Sequence, residues 1–387
     1  MMQSPAFYRI ITGIIFNTNR NSVRSTGQAN IASLNDFDVV IDVRTPSEFA
    51  EDHIPGALNF PVLSNEERVR VGTLHKQSSF EAKKIGAALI ARNIADHIEK
   101  NWLDKHRSWH PLIYCWRGGQ RSGAMTHILR TIGFSAERLE GGYKGYRHHV
   151  LEQLELIPST LNYIVLCGLT GSGKSILLNA LENKGAQVLD LEEIARHRGS
   201  VLGDMPDISQ PAQKSFDSQL LEKLKTFNPA LPVFVESESK KIGTVRVPDS
   251  LIHKMWASPC IRLETSTELR VALLRQEYQH FLENPELLQQ QLDRLRGLYS
   301  NEQLAKWQNL YTQHRWDEFV TELLNVHYDP AYSKSIYRHY PDYERAPQLI
   351  LNTLDNQRFQ TLATEALAMQ PNFVNNVTTS STIRPDT

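Results

Sequence analysis

Short apolar runs separated by longer amphipathic stretches dominate the chain from Asp38 onward. Val39-Val40-Ile41 and Pro111 to Tyr114 read as buried strands, and Arg121 to Thr131 reads as a helix closed by Gly133. Between them Ser78 and Glu81 suggest a capping box ahead of a long helix that places Ile94, Ile98 and Trp102 on one face. A second series follows: Leu161 to Cys167 as a buried strand, Ile176 to Glu182 as a helix stopped near Gly185, then strands at Gln187–Asp190, Pro232–Glu236 and Cys260–Glu264. Residues 266 to 326 carry leucines at helical spacing. Strands alternating with helices predict α/β architecture with mainly parallel sheets.

With 387 residues, two domains are expected. The boundaries predicted are a leader over 1–30, a first α/β domain over 31–155, and a second, doubly wound domain with a helical extension over 156–345. A C-terminal helix and a disordered tail beyond Gln370 fill 346–387. Ile10 to Phe16 is apolar but far too short to span a bilayer, so no membrane span is predicted. A net charge of −1 gives no bulk sign of a nucleic-acid partner. Three cysteines without paired spacing argue against a disulfide framework or zinc site and suit a reducing, cytoplasmic setting.

The first chemistry lies in Ile113-Tyr-Cys-Trp-Arg-Gly-Gly-Gln-Arg-Ser122. Cys115 stands at the end of a strand and faces the start of a helix, where free N–H groups, with Arg117 and Arg121 beside them, lower a thiol's pKa. Gly118, Gly119 and Gln120 complete a loop whose N–H groups can turn toward an oxyanion. The second is Gly168-Leu-Thr-Gly-Ser-Gly-Lys-Ser175, a phosphate loop in the required order of strand, glycine-rich loop and helix. There the backbone of Gly168, Thr170, Gly171, Ser172 and Gly173 wraps a diphosphate, Lys174 adds charge, and the Ser175 hydroxyl can ligate Mg²⁺. Asp190 and Glu236, at strand ends, are candidates to hold Mg²⁺ or a hydroxyl, against ordinary helix capping or solvation. Lys240, Lys241 and Arg246 are weaker candidates for phosphate contacts. Arg270, Arg275, Arg294 and Arg296 among many acids suggest a solvated helical face, with an RNA surface as the alternative. The tyrosines of 327–345, mixed with bases, suit either base stacking or internal packing.

Asp42-Val-Arg44, Glu48-Phe49, His53 to Ala57, the Cys115 loop and Gly141-Gly142 together resemble rhodanese domains. The resemblance makes Asp42 and Arg44 loop-supporting residues, although a plain structural ion pair is an equal reading. The seven residues from Cys115 to Arg121 are one more than the common sulfurtransferase loop holds, which implies a pocket wide enough for a tetrahedral oxyanion or a selenium-bearing group. A rhodanese-like domain joined to a P-loop NTPase-like domain, with Gly141 to Arg147, Leu189 to Glu192 and Val233 to Ser239, resembles the tRNA 2-selenouridine synthase family.

That resemblance implies a transferase that turns 2-thiouridine at the tRNA wobble position into 2-selenouridine. Selenophosphate is the implied donor, S-geranyl-2-thiouridine made from geranyl diphosphate the intermediate, and no tightly bound cofactor is implied. The oligomeric state is left open. A P-loop kinase or NTPase with a rhodanese-type phosphatase or sulfurtransferase module is the alternative enzyme, and a non-catalytic RNA-binding or sulfur-carrier protein the alternative of another class.

Overall fold

A computed structural model describes residues 27–379, apart from 201, 206 and 207. The leader up to residue 26, with Ile10 to Phe16, and the tail from 380 lie outside the described residues. Among those described, no helix is long and apolar enough to cross a membrane.

The first sheet holds β1 (Gln28–Ala29), β2 (Val39–Asp42), β3 (Leu58–Asn59), β4 (Pro111–Tyr114) and β5 (Glu137–Leu139) in the order β1-β5-β4-β2-β3. All its pairs are parallel. Strand β4 is central and wholly buried, which is why its sequence is a continuous apolar run rather than an alternating one. Asp42 pairs with Tyr114, and the Val43 N–H donates to the Tyr114 carbonyl at 3.0 Å. This register sets Cys115 beside the Val43–Arg44 segment.

The first domain begins with β1, at residue 28 rather than 31, because this strand pairs with β5. A helix over Ser79–Asn101 starts where expected, and Ile94 and Trp102 are buried. No capping box forms there: the Ser78 hydroxyl accepts from the Glu81 N–H, but Glu81 turns to Lys84. Complete boxes form instead at Thr45 with Glu48 and at Ser64 with Glu67.

The second sheet contains β6 (Asn162–Cys167), β7 (Gln187–Leu189), β8 (Pro232–Glu236), β11 (Cys260–Thr265) and β12 (Gln348–Leu351). A hairpin of β9 (Lys241–Ile242) and β10 (Val245–Arg246) stands outside it. The order is β12-β11-β6-β8-β7, again parallel throughout. Here the expected boundary at 345 fails. Strand β12 is an edge of this sheet, and the helix Asn356–Thr379 packs Phe359, Leu362, Ala363 and Ala366 into the same core as the helix Lys174–Asn183. The C-terminal segment therefore belongs to the second domain. Helix, not disorder, continues past Gln370 to Thr379. The helices from Thr267 to Leu323, with the turn Leu324–Tyr328, build a further core around the buried Trp307, whereas Ile336 of the next helix joins the inter-domain core.

Helix Gly142–Thr160 joins the two domains. Tyr143, Tyr146, Val150 and Leu154 lie in one cluster with Tyr114 and Leu139 of the first domain and Tyr163, Leu220 and Met255 of the second. Polar links reinforce this shared core: Arg147 pairs with Asp217, Lys214 with Glu51 at 2.7 Å, and the buried Asp52 accepts from Tyr143 at 2.7 Å and Ser218 at 3.2 Å. Removing a buried leucine costs roughly 2–5 kcal/mol. Leu154→Ala is therefore expected to lower hydrogen-exchange protection of both sheets together, whereas a loss confined to one sheet would show that the domains are stable independently.

Candidate active site

Cys115 is buried at the end of β4. Its sulfur accepts hydrogen bonds from the Gly119 N–H at 3.3 Å and the Ser122 hydroxyl at 3.2 Å. Burial pushes the thiol pKa up, but the Ser122 hydroxyl and N–H, the Arg121 charge and the Arg117 N–H more than offset it, so the net shift is downward. Of the two arginines the sequence singles out, only Arg121 acts through its side chain. It is tied to Glu48 at 2.7 and 3.2 Å, while Arg117 is exposed and turns its backbone toward the sulfur. Burial opposes the ionisation of Glu48, yet this pair and the Thr45 N–H bring its carboxyl down to about 2. Gln120 is exposed in the first turn of the helix Gln120–Ile132.

The paired glycines have a steric cause. A Cβ on Gly142, whose φ is +57°, would come within 2.4 Å of the Gly118 nitrogen and 2.5 Å of the Cys115 carbonyl oxygen. This approach lets the Tyr143 and Lys144 N–H groups donate to the Cys115 and Trp116 carbonyls, both at 2.8 Å. Asp42 and Arg44 stand beneath the loop as a buried ion pair at 2.7 Å. Arg44 also donates to the Asp52 carbonyl at 2.6 Å and lies 3.9 Å from the Tyr143 ring centroid. The plain ion-pair reading is thus what the contacts give, with Arg44 also joined to the Asp52 carbonyl and the Tyr143 ring.

The phosphate loop leaves β6 beside β8: Leu166 pairs with Glu236, and the Ser237 N–H donates to the Leu166 carbonyl. Gly171 and Gly173 take φ of +74° and +88°. A Cβ on Gly173 would come within 3.1 Å of the Phe359 ring, so the C-terminal helix closes one side of the loop. The Lys174 ammonium donates to the Gly168 and Leu169 carbonyls at 3.0 and 3.3 Å. The Ser172 side chain is buried, and the Ser172 carbonyl accepts from the Thr265 hydroxyl at 2.9 Å. Ser175 is half-buried in the first turn of the following helix.

Of the two candidate acids, Glu236 stands in an acidic cluster and Asp190 follows the capping alternative. Asp190 caps the helix Leu191–Ala195, accepting from the Glu193 N–H at 2.8 Å. Glu192 takes the place the sequence reading gave it, because the first turn of that helix swings residue 192 inward beside β8. Carboxylate oxygens of Glu192, Glu236 and Glu238 all lie within 4.8 Å of one another. Burial first, then repulsion from neighbouring carboxylates for Glu192 and Glu236, raise their pKa values, while Lys174 pulls the other way. The Glu236 Oε1 is buried without a hydrogen-bond partner. A hard divalent cation fits this set of oxygen donors.

Four arginines expected on a solvated face are all paired. Arg270 is buried, clamped to Asp329 at 2.6 Å, and donates to the Thr170 carbonyl at 2.8 Å, so it braces the phosphate loop. Arg275, Arg294 and Arg296 pair with Asp317, Asp204 and Asp293. Lys240 pairs with Asp249, while Lys241 and Arg246 occupy the β9–β10 hairpin. Of the tyrosines, Tyr328 and Tyr340 are buried packing residues and Tyr337 is exposed. Sequence reading missed Ser122, Glu192, Glu238 and Arg270 as contributors. Only Glu192 and Glu238 left a usable signal, by adjoining strand ends.

Comparison with known proteins follows the same division. Residues 28–149 match the rhodanese-like domain, and residues 161–346 match the tRNA 2-selenouridine synthase AAA domain. A tRNA 2-selenouridine synthase of Nitrosomonas europaea is 37% identical over 244 residues, 62% of this chain and 63% of that protein. One of Sulfurovum sp. is 39% identical over 247 residues, covering 62% and 65%. These matches span just under two thirds of each relative. The synthase of Marinobacter nauticus is 32% identical over 334 residues, covering 77% of this chain and 88% of that protein. With both domains matched in the same order and a relative aligned across most of its length, this chain belongs to the tRNA 2-selenouridine synthase family.

Proposed function

We propose that this protein is a transferase that replaces the sulfur of 2-thiouridine at the tRNA wobble position with selenium, using geranyl diphosphate and selenophosphate. The observation that carries the reading is the pairing, in two domains that share a core, of a thiol whose pKa is lowered by N–H and hydroxyl donors with a glycine-rich loop of diphosphate-binding form. Residues 168–175 would hold the diphosphate of geranyl diphosphate, with Lys174 against its oxygens. As the allylic C–O bond breaks and the thiouridine sulfur takes the carbon, inorganic diphosphate departs, and Lys174 stabilises the charge it gains. A divalent cation held by Glu192, Glu236 and Glu238, with Ser175 as a further candidate ligand, would add to that neutralisation.

Alkylated sulfur is then a leaving group at C2 of the base. Selenium from selenophosphate forms the new bond to that carbon, the geranyl thiolate departs, and the phosphoryl group passes to water. Cys115 takes part in this second step, with the Gly118, Gly119 and Gln120 backbone and Arg121 around the oxyanion. The Cys115 thiolate can take the phosphoryl group from selenophosphate at phosphorus, which breaks the P–Se bond and frees selenide for C2, and water then removes the phosphoryl group from the sulfur. Selenophosphate, geranyl diphosphate and tRNA are the partners this scheme requires, and no tightly bound cofactor enters it.

The downward shift at Cys115 has a sign that alkylation can read. A lower pKa means thiolate at lower pH, so iodoacetamide should modify Cys115 with a midpoint below the ~8.5 of a free thiol. Ser122→Ala should move that midpoint upward, and a wild-type midpoint at or above the free-thiol value would contradict the assignment. The division of labour is tested by two variants assayed on thiouridine-bearing tRNA. Cys115→Ala is expected to lose selenation by about 100-fold or more while retaining geranylation, and Lys174→Ala to lose geranylation, on the scale of removing a nucleophile or a charge stabiliser. Normal selenation by the first, or normal geranylation by the second, would remove that residue's role.

A further inference from the structure

Beside the Cys115 loop the first domain carries a broad cleft open to solvent. The helices Asn65–Gln77 and Ser79–Asn101 line it, as do Gln120 and Arg121 at the start of the helix Gln120–Ile132. Its volume is about 1230 Å³, above the roughly 300–1,000 Å³ usual for small-ligand sites. An extended partner suits it better than a small molecule. The cleft also adjoins the reaction centre: Arg121 lines it, the Arg121 charge acts on the Cys115 thiol, and the next residue, Ser122, donates to the sulfur at 3.2 Å.

Charge on its surface is unbalanced. Arg68, Lys76 and Lys83 line the cleft, are exposed, and make no ion pair or side-chain hydrogen bond among the described residues. The one acid among the described lining residues, Glu48, is already tied to Arg121 at 2.7 Å. In the helical extension, by contrast, Arg270, Arg275, Arg294 and Arg296 each have an aspartate. A chain of net charge −1 therefore keeps an uncompensated positive strip next to its thiol. Arg68 and Lys76 lie on one helix, about 12 Å apart at 1.5 Å per residue, so they reach separate anionic groups. Apolar surface lies between these charges. Val69, 68% exposed, and the exposed methyl groups of Ala87 and Ala91 line the cleft. Phe80 is 69% exposed in the first turn of the helix Ser79–Asn101, three residues before Lys83 and hence its neighbour on the helix surface. An acidic peptide would answer the charges; nucleotides answer both the charges and the flat apolar surface, with phosphates for the one and base faces for the other.

We infer that this cleft seats the single-stranded nucleotides that flank the target base of the substrate RNA, with their phosphates on Arg68, Lys76 and Lys83 and a base stacked on Phe80. The inference rests on the tRNA reading given above and adds where the RNA lies. Binding along the two helices brings the strand to the mouth of the Cys115 loop, while the bases there are held by stacking rather than by edge contacts, so the cleft positions the strand irrespective of its sequence.

The test is equilibrium binding of the full-length protein to tRNA bearing 2-thiouridine at the wobble position, measured over a range of salt concentrations. Lys76→Glu combined with Lys83→Glu is expected to weaken binding by about tenfold or more and to reduce the slope of log affinity against log salt by about 1–2. Lys184→Glu combined with Lys254→Glu makes the same change of charge on the second domain and should bind nearly as the wild type does. Phe80→Ala should weaken binding about fivefold with the salt slope unchanged, as loss of stacking does. Circular dichroism checks that each variant folds. If the wild type binds and the folded Lys76/Lys83 variant binds equally well, or if the second-domain control loses as much, the cleft is the wrong place for the RNA. Unchanged affinity in Phe80→Ala would strike out the stacking role. A wild type that does not bind the tRNA at low salt would instead overturn the tRNA reading itself, and the cleft assignment with it.

Discussion

The contact on which the rest depends is the backbone approach of Gly142 to the Cys115 loop. It is close enough to exclude any side chain, and it brings the first N–H groups of a long helix onto the carbonyls of that loop. The same helix then buries Tyr146, Val150 and Leu154 between the two domains. One rigid element therefore fixes the loop that carries the thiol and ties it to the body that carries the phosphate loop. Under it Arg44 binds Asp42 and the Asp52 carbonyl and lies against Tyr143, so the buried charges are compensated rather than stranded.

Electrostatic design differs between the two cradles. Around Cys115 the donors are N–H groups, one hydroxyl and an arginine already neutralised by Glu48. Such a site lowers a thiol pKa without presenting a large net charge to its surroundings. By the phosphate loop, two buried carboxyl groups, Glu236 and Glu238, and the half-buried Glu192 lie within the reach of one lysine's charge. Burial, with carboxylate repulsion at Glu192 and Glu236, raises their pKa values, while Lys174 and a bound divalent cation would both favour the ionised forms.

Much of this was legible in the chain itself. Strands β2, β4, β6 and β8 lie at the predicted places because a parallel sheet covered on both faces favours apolar runs, and β11 also lies where predicted although Arg262 and Glu264 interrupt its apolar positions. The two glycine-rich loops were readable for the same reason: their backbone conformations restrict residue type. Strand β12 was not, since an edge strand of four residues with only Leu349 and Leu351 buried carries too little periodicity. Partners far apart in sequence were equally hidden. Glu48 meets Arg121, and Asp52 meets Ser218. Asp190 shows why two readings stayed open: an acid at a strand end can serve as a ligand or as a helix cap, and here the following turn makes it a cap.

Two candidate anion sites, in domains joined by a shared core, make chemical sense if a single modified base is served by both. Mass spectrometry of wobble nucleosides, in tRNA from cells supplied with selenium and either carrying or lacking this protein, tests that claim most directly. The account predicts 2-selenouridine only where the protein is present, and 2-thiouridine persisting in its absence. Equal amounts of 2-selenouridine in both would contradict it.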